Sequence, residues 1–278
     1  MKNFSLVLLS CLFFPVLTLR AEMTPHQGPG TGKLGDVAQI ALPDGYTYYE
    51  KKDMKEFMEK SHNFYSDDQL GVLVNPSQES GYMALFSFDE MGYIKDAASE
   101  KLDADAMWKE MLDNEKAANE ERKSKGWTEI FMVDWEEKPN YNAERQRLEW
   151  ATKLKDNTGE FVNFNTRVLG RKGVMRITLV PNADLRTALS SFNDAIAGFE
   201  YTSGNRYAEW TSGDKVAEIG LAALVVGGAG ALAVKSGLLA KFWKLILVGF
   251  AAMAGFIKKL WNKLTGNDSG SGSGGITS

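Results

Sequence analysis

Three stretches in the middle of the chain alternate between apolar and polar residues, which is typical of β-strands that bury one face. They are RLEWATKLK (147–155), FVNFNTRVL (161–169) and VMRITLV (174–180), and the tetrapeptides DNTG and GRKG separate them. Short glycine-containing turns connect neighbouring antiparallel strands. The pattern therefore predicts an antiparallel meander.

Other stretches repeat their apolar residues at helical spacing. KKDMKEFMEKS predicts a short helix, and Asp103 is a suitable N-cap for a long helix that Gly126 ends. NADLRTALSSFNDAIAG predicts a closing amphipathic helix whose apolar face is formed by Leu185, Leu189, Phe192 and Ile196. Strands that meet helices without βαβ alternation predict an α+β domain, with the helices packed on one face of an antiparallel sheet.

Residues 216–234, VAEIGLAALVVGGAGALAV, form an apolar run long enough to cross a bilayer as a helix. The run contains GAGALA, which fits the glycine fingerprint of dinucleotide-binding proteins. The strand, helix and acidic residue that this fingerprint requires around it are not supplied, so we expect no nucleotide ligand. The sequence predicts a transmembrane helix, and its small residues Ala223, Gly227 and Ala231 share a face suited to helix packing.

A second apolar run, FWKLILVGFAAMAGFIKKLW, covers residues 242–261 and is followed by a flexible Gly/Ser-rich tail, 266–278. Ala251 and Gly255 give it a small-residue face that matches the first helix. Two arrangements stay open. Either 242–261 also crosses the membrane to form a helical hairpin, or it lies on the cytoplasmic surface as a basic interfacial helix.

The amino terminus predicts export. Residues 1–21 combine Lys2 with an apolar run of signal-peptide length, and Ala21 is a reasonable cleavage point. Cleavage is favoured, and an uncleaved anchor is the alternative. The prediction is a domain spanning 22–215 that lies in the periplasm, held on the bacterial inner membrane.

Charge is unevenly distributed. Residues 22–215 carry 24 Lys+Arg against 34 Asp+Glu, a balance of −10, whereas 216–278 carry six Lys against two acids, a balance of +4. An acidic domain argues against a nucleic-acid partner. Cys11 lies in the leader, so the mature chain has neither a disulfide nor a thiol nucleophile. The only histidines, His26 and His62, form no metal-binding pattern, so we expect no metal and no cofactor.

The most concentrated candidate chemistry lies around GRKG. A hairpin there gathers four cations on an otherwise acidic domain: Arg167, Arg171, Lys172 and Arg176. Guanidinium groups suit an anionic docking site for a lipid headgroup, a phosphate or an acidic partner. The favoured interpretation is that these cations pair with acids of the same domain, such as Glu149 or Glu160.

Aromatic residues suggest a contact surface near this hairpin, formed by Trp135, Tyr141 and Tyr207, whereas Trp150 shares a face with leucines and suits the core. Adjacent acids occur at Asp67–Asp68, Asp89–Glu90 and Glu136–Glu137. Glycoside hydrolysis needs two carboxylates that flank a sugar, but an acidic domain produces adjacent acids by chance. A solvated surface is the favoured interpretation.

Several long strings resemble a bacterial membrane-anchored family known only as domain of unknown function 2167. They include VDWEEKPNYNAERQRLEWATKLK, VNFNTRVLGRKGVM and GNRYAEWTSGDKVAEIGLAALVVGG, and the resemblance covers residues 34–260. It implies a signal peptide, an exported domain and C-terminal membrane helices, and it implies no reaction. Family members often carry Trp-Gly-Asn-Pro after the first helix, where this chain has SHNFYSDDQ.

Together these features predict a membrane-anchored envelope protein with a binding or scaffolding domain that is displayed outside the inner membrane. Its expected partners are membrane lipid and either a membrane protein or a second copy. Two alternatives are an envelope hydrolase or transferase that acts on a glycan or lipid, and an accessory subunit of a transporter.

Overall fold

The computed structural model describes residues 23–182 and 184–227. The strands are β1 (His26–Gln27), β2 (Gly30–Leu34), β3 (Ala38–Leu42), β4 (Thr47–Glu50), β5 (Gln69–Asn75), β6 (Tyr82–Asp89), β7 (Phe131–Asn142), β8 (Arg147–Lys155), β9 (Glu160–Leu169), β10 (Val174–Pro181) and β11 (Phe199–Tyr201). The α-helices are α1 (Met54–Lys60), α2 (Ala104–Ser124), α3 (Leu185–Ile196) and α4 (Leu221–Val226).

Eight strands form one antiparallel sheet in the order β1-β4-β5-β6-β10-β9-β8-β7, and three form a small second sheet in the order β11-β3-β2. The predicted meander is confirmed as β8, β9 and β10, in which Trp150 pairs with Asn165 and Ile177 pairs with Thr166. The edge strand β7 shifts its register against β8 at three places between Met132 and Asn140. Each shift interrupts the regular ladder, as β-bulges do.

The predicted helices also form. The Asp103 carboxylate accepts hydrogen bonds from the backbone N–H groups of Asp105 and Ala106, so it caps α2 as expected. At the start of α3, the Asp184 side chain accepts from the backbone N–H of Thr187. Phe192 on α3 is buried in the main core.

The sheet is covered on both faces, which corrects the expectation that the helices pack on one face. Ala151 and Phe164 face the main core, which α3 and the small sheet cover. Leu148 and Trp150 face the opposite side, where they form a second core with residues of α2 and α4. Helix α1 packs its own small cluster against the sheet. Both faces of the central strands are apolar, so each must be shielded from water.

The segment after residue 215 belongs to the domain. Val216 bridges to Tyr93, and the backbone N–H of Ala217 donates to the Tyr93 carbonyl at 2.9 Å. The Glu100 carboxylate accepts from the first two backbone N–H groups of α4, those of Leu221 (2.6 Å) and Ala222 (2.9 Å). A Cβ on Gly220 would collide with this carboxylate, which explains the glycine there.

These contacts correct the described part of the predicted 216–234 membrane helix. Residues 216–220 are not helical, and α4 ends after six residues at Gly227, whose φ is +144°. Ala223 lies in the second core, 5% exposed, together with the equally buried side chains of Leu221, Leu224, Val225 and Val226. The physical reason is that a buried helix and a membrane helix need the same apolar composition.

Among residues 23–182 and 184–227, the structure contains no helix with the length and hydropathy needed for a membrane span. The remaining predicted membrane features lie outside the described residues. They are the leader 1–21, the rest of the first span with Ala231, the run 242–261 with Ala251 and Gly255, and the tail 266–278.

The buried hydroxyl of Tyr201 provides a test of the main core. It accepts from the backbone N–H of Met175 at 2.8 Å and donates to the Val168 carbonyl at 2.7 Å, which joins β9 to β10. We expect Tyr201→Phe to lower the free energy of unfolding by about 1–3 kcal/mol, because two buried backbone groups lose their partner. Tyr65→Phe is the control, since it removes an exposed hydroxyl. Urea unfolding that gives equal losses would contradict the assignment.

Candidate functional site

A cleft of about 610 Å³ opens between the end of β6 and the segment 215–219. Its base includes Asp68, Asp89 and Arg176. Gly227, the last described residue, also lines it. The antiparallel pairing of β6 with β10 sets Arg176 beside Ser87, two residues before Asp89. The sheet register therefore brings one arginine and two acids together from separate parts of the chain.

Arg176 bridges the two aspartates. Its Nη2 contacts the Asp68 carboxylate, and its Nε lies 2.9 Å from Oδ2 of Asp89 without the alignment of a hydrogen bond. Burial raises the pKa of the Asp89 carboxyl above its ordinary value, and the positive charge of Arg176 opposes that rise. The guanidinium therefore stabilises a partly desolvated pair of carboxylates.

Arg167 lies on the same face of the sheet, next to Arg176 on β9, but it is only 7% exposed. Its guanidinium carbon lies 4.5 Å from the ring centroid of Trp150, and Nη1 donates to the Thr166 carbonyl at 3.2 Å. Its Nε has no partner among the described residues. Burial lowers the pKa of Arg167 to about 9. Its charge is held inside the domain by the aromatic ring and the nearby Asp89.

Arg171 and Lys172 lie apart from that pair, in the turn between β9 and β10. Arg171 donates to both carboxylate oxygens of Asp214, at 2.7 and 2.9 Å, and this pairing holds the pKa of Asp214 well below its usual range. Lys172 is exposed, and its backbone carbonyl accepts from the N–H of Gly92. The four predicted cations therefore do not form one patch, and the three arginines are held by internal contacts.

The rim of the cleft carries three exposed charged residues, Glu90, Lys215 and Glu218, which make no ion pair within the described part of the chain. Among the described residues, the rim and the base together hold four carboxylates and two cations, a formal balance of −2. Phe88, Met91 and Ile219 add apolar wall. The site combines negative charge with apolar surface.

The cleft was not predicted from the sequence, because adjacent acids such as those at 67–68 and 89–90 are typical of a solvated surface. Asp67 fits that interpretation, since it is exposed and bonds only to the Tyr65 hydroxyl. A usable signal was present: Arg176 alternates away from Ile177 and Leu179, so it needed a partner on a neighbouring strand. Neither the partner strand nor the course of the segment 215–219 could be read from the sequence pattern.

The predicted aromatic residues sit around the second core. Trp135 packs against Trp108 with ring centroids 5.0 Å apart, and Tyr207 stacks on Tyr93 at 4.4 Å. Tyr141 is partly buried against the same core. Trp150 is 2% exposed, which confirms it as a core residue. Most of the aromatic surface predicted for contacts is therefore used for packing.

Neither histidine lines the cleft. His62 stacks on Trp127, with the rings 5.9 Å apart, and His26 lies 3.2 Å from the Glu50 carboxylate. Within residues 23–182 and 184–227, no three His, Cys, Asp or Glu side chains are grouped as a metal site.

The fold is that of a mixed α/β domain, built on a large antiparallel sheet that is covered on both faces. The chain belongs to the family described as "Protein of unknown function (DUF2167)", whose model matches residues 26–258. This confirms the resemblance to the family, whereas its membrane-anchored character stays a prediction. No curated protein matches the chain. The solution structure of cyanobacterial PsbP (CyanoP) from Synechocystis sp. PCC 6803 is similar at 12% identity and a TM-score of 0.35, over 65% of this chain and 93% of that one.

Two substitutions separate the roles of the paired arginines. Arg176→Met leaves Asp68 and Asp89 without their guanidinium, so we expect unfolding free energy to fall by about 1–3 kcal/mol at pH 7. Arg167→Met removes a desolvated charge and keeps the contact with Trp150, so we expect a change below about 1 kcal/mol.

Urea unfolding from pH 7 to pH 3 measures both. The loss caused by Arg176→Met should shrink in acid, because a protonated Asp89 carboxyl group no longer needs a cation. Equal losses in the two variants, or a loss that does not depend on pH, would show that Arg176 does not compensate the aspartates.

Proposed function

We propose that this chain is a binding domain of the bacterial envelope, displayed in the periplasm and anchored to the inner membrane, and that the cleft receives a partner. One observation carries the binding role: a cleft with an apolar wall, and with rim charges that form no ion pair among the described residues, lies between the end of β6 and the segment 215–219. Specific sites combine apolar walls with a few placed polar groups in this way.

The state of the base charges favours binding over chemistry. Arg176 already contacts both Asp68 and Asp89, so a substrate would have to compete with this cation for either carboxylate. Glu90 and Glu218 are exposed on the rim. Exposed acids around a partly apolar depression suit a cationic or amphipathic partner. Such charges determine how the partner is oriented on the surface more than how tightly it binds.

The anchor that we propose is 242–261 alone. The domain takes up residues 216–226, so only 228–234 of the first apolar run remain, and seven helical residues reach about 10 Å of a bilayer core about 30 Å thick. The run 242–261 is longer and has Trp243 and Trp261 for the two interfaces. Its small residues Ala251 and Gly255 suit a second copy or a membrane-protein partner.

A second candidate, an envelope hydrolase that acts on a glycan or lipid, rests on one observation. Burial raises the pKa of Asp89, and Asp68 lies across Arg176 from it. A carboxyl group with a raised pKa beside a second carboxylate is the arrangement of a general acid in glycoside hydrolysis. If purified protein cleaves an envelope glycan and Asp89→Asn abolishes that cleavage, the enzyme assignment replaces the binding role.

Crosslinking in intact cells tests the binding role. A photo-reactive amino acid at Met91, on the cleft wall, should give a discrete adduct with one larger partner, and the double change Glu90→Lys with Glu218→Lys should remove it. The matched control is the same probe at Lys116, which is exposed on α2. An equal adduct from Lys116, or none from Met91, would argue against the cleft as the partner site.

Labelling of an introduced cysteine tests the anchor. In a Cys11→Ser chain, which has no other cysteine, Ser271→Cys should resist an impermeant maleimide in spheroplasts and react after permeabilisation, because a single span places the tail in the cytoplasm. Lys116→Cys should react in both cases. Labelling of residue 271 in sealed spheroplasts would mean that the number of spans is even.

A further inference from the structure

A second cavity, of about 150 Å³, lies between α1 and the face of the large sheet opposite the main core. None of the residues that line it also lines the cleft. We call it the α1 cavity. Its apolar lining consists of Phe57, Met58, Val72, Met83, Leu85 and Val180.

We propose that the α1 cavity binds a phenol, that is, a single aromatic ring whose hydroxyl group donates a hydrogen bond to Oδ1 of Asn163. This inference goes beyond the proposed function, because the ligand is a small molecule and the site lies outside the cleft. Size sets the first limit on the ligand. A cavity of about 150 Å³ accommodates a molecule the size of benzene.

The floor of the α1 cavity is fixed by the register of three neighbouring strands. Val72 on β5 pairs with Leu85 on β6, and Leu85 pairs with Thr178 on β10. In the next row, Met83 on β6 pairs with Val180 on β10. Because paired residues point to the same face of a sheet, these side chains form one preformed surface. Preformed surfaces lower the entropy cost of binding.

The lining favours an aromatic ring over an aliphatic one. Met58 and Met83 both line the cavity, and thioether sulfur makes favourable contacts with aromatic rings. Phe57 adds an aromatic side chain that packs against Tyr49, with the ring centroids 5.0 Å apart. Aromatic pairs gain stability beyond the area that they bury.

Three polar side chains of the lining already make hydrogen bonds within the domain. The Ser61 hydroxyl donates to a backbone carbonyl of α1 at 2.8 Å. Oδ1 of Asn63 accepts from Nη2 of Arg122 at 3.0 Å. The Thr178 hydroxyl donates to Oδ1 of Asn165, also at 3.0 Å. These groups therefore have existing partners with which a ligand would compete.

Asn163, which also lines the cavity, differs from them. Its Oδ1 is buried and has no hydrogen-bond partner among the described residues. A buried acceptor without a partner costs free energy, and a donor on the ligand recovers that cost. The donor should be neutral, because none of the described side chains that line the cavity carries a charge. A phenol hydroxyl meets both conditions.

The ligand can enter past Met83. This side chain is 38% exposed, and methionine is unbranched and adapts its shape readily. On the other side of the cavity, α1 has only seven residues, and no side chain caps its amino terminus. A short helix without a cap opens locally at a low cost in free energy.

NMR of the methionine methyl groups tests the location. In the full chain labelled with ¹³C at these methyl groups, added phenol should shift the Met58 and Met83 signals in a saturable way, because the bound ring lies against both side chains. The signal of Met91, on the cleft wall, should not shift. Absence of a saturable shift at Met58 and Met83, or an equal shift at Met91, overturns the proposal.

Replacement of Asn163 tests the hydrogen bond. Asn163→Leu removes the acceptor and keeps a side chain of similar size, so the ratio of phenol affinity to toluene affinity should fall by about 5-fold. Because this ratio is compared between the parent and the variant, partitioning of either compound into detergent or lipid cancels. An unchanged ratio overturns the assignment of Asn163 as the acceptor.

A filled cavity gives a further test. Val180→Phe places a larger side chain in the α1 cavity and should abolish the Met58 and Met83 shifts with both compounds, while urea unfolding checks that the variant is folded. Val133→Phe is the matched control, because it makes the same change at a position on β7 that is 44% exposed and outside the lining. Saturable shifts that persist in Val180→Phe, or that disappear in Val133→Phe, contradict binding in this cavity.

Discussion

The central strands of the large sheet bury apolar side chains on both of their faces, and the rest of the domain is arranged to cover them. Phe164 and Ile177 require α3 and the small sheet on one side, whereas Leu148 and Trp150 require α2 and α4 on the other. Covering the second side brings the chain after Lys215 alongside Tyr93 and into the second core. The cleft lies between this segment and the end of β6, where charged residues are found.

Buried and half-buried charge is tolerated here because it is compensated locally. Arg176 compensates two aspartates, Arg171 is bound by Asp214, and Arg167 rests on Trp150. Each arginine is held by side chains from a different element, so these contacts connect β6, β8 and the C-terminal segment to the hairpin. The remaining uncompensated charge is concentrated at the rim of the cleft, where water or a partner can solvate it.

Local pattern was enough to predict the meander, the capped helix α2 and the closing helix α3, because their apolar spacing matches a single periodicity. It was not enough to predict that both faces of the large sheet are covered. The alternation of Leu148 and Trp150 identified an apolar face, but Ala151 on the opposite face is small and gave no comparable signal. Composition also could not separate α4 from a membrane helix, since Leu221–Val226 suits lipid and protein interiors equally. The cleft depends on contacts between residues more than 100 positions apart, such as Arg176 with Asp68, which spacing along the chain does not encode.

The two edge strands of the large sheet, β1 and β7, are poor templates for strand addition. β1 contributes only two residues, and β7 interrupts its ladder with register shifts in a stretch that also contains Pro139 and several charges. Edges of this kind discourage intermolecular pairing. Copies of the domain crowded side by side would therefore resist fusing into extended β-structure, and close packing would carry little risk of aggregation through either border.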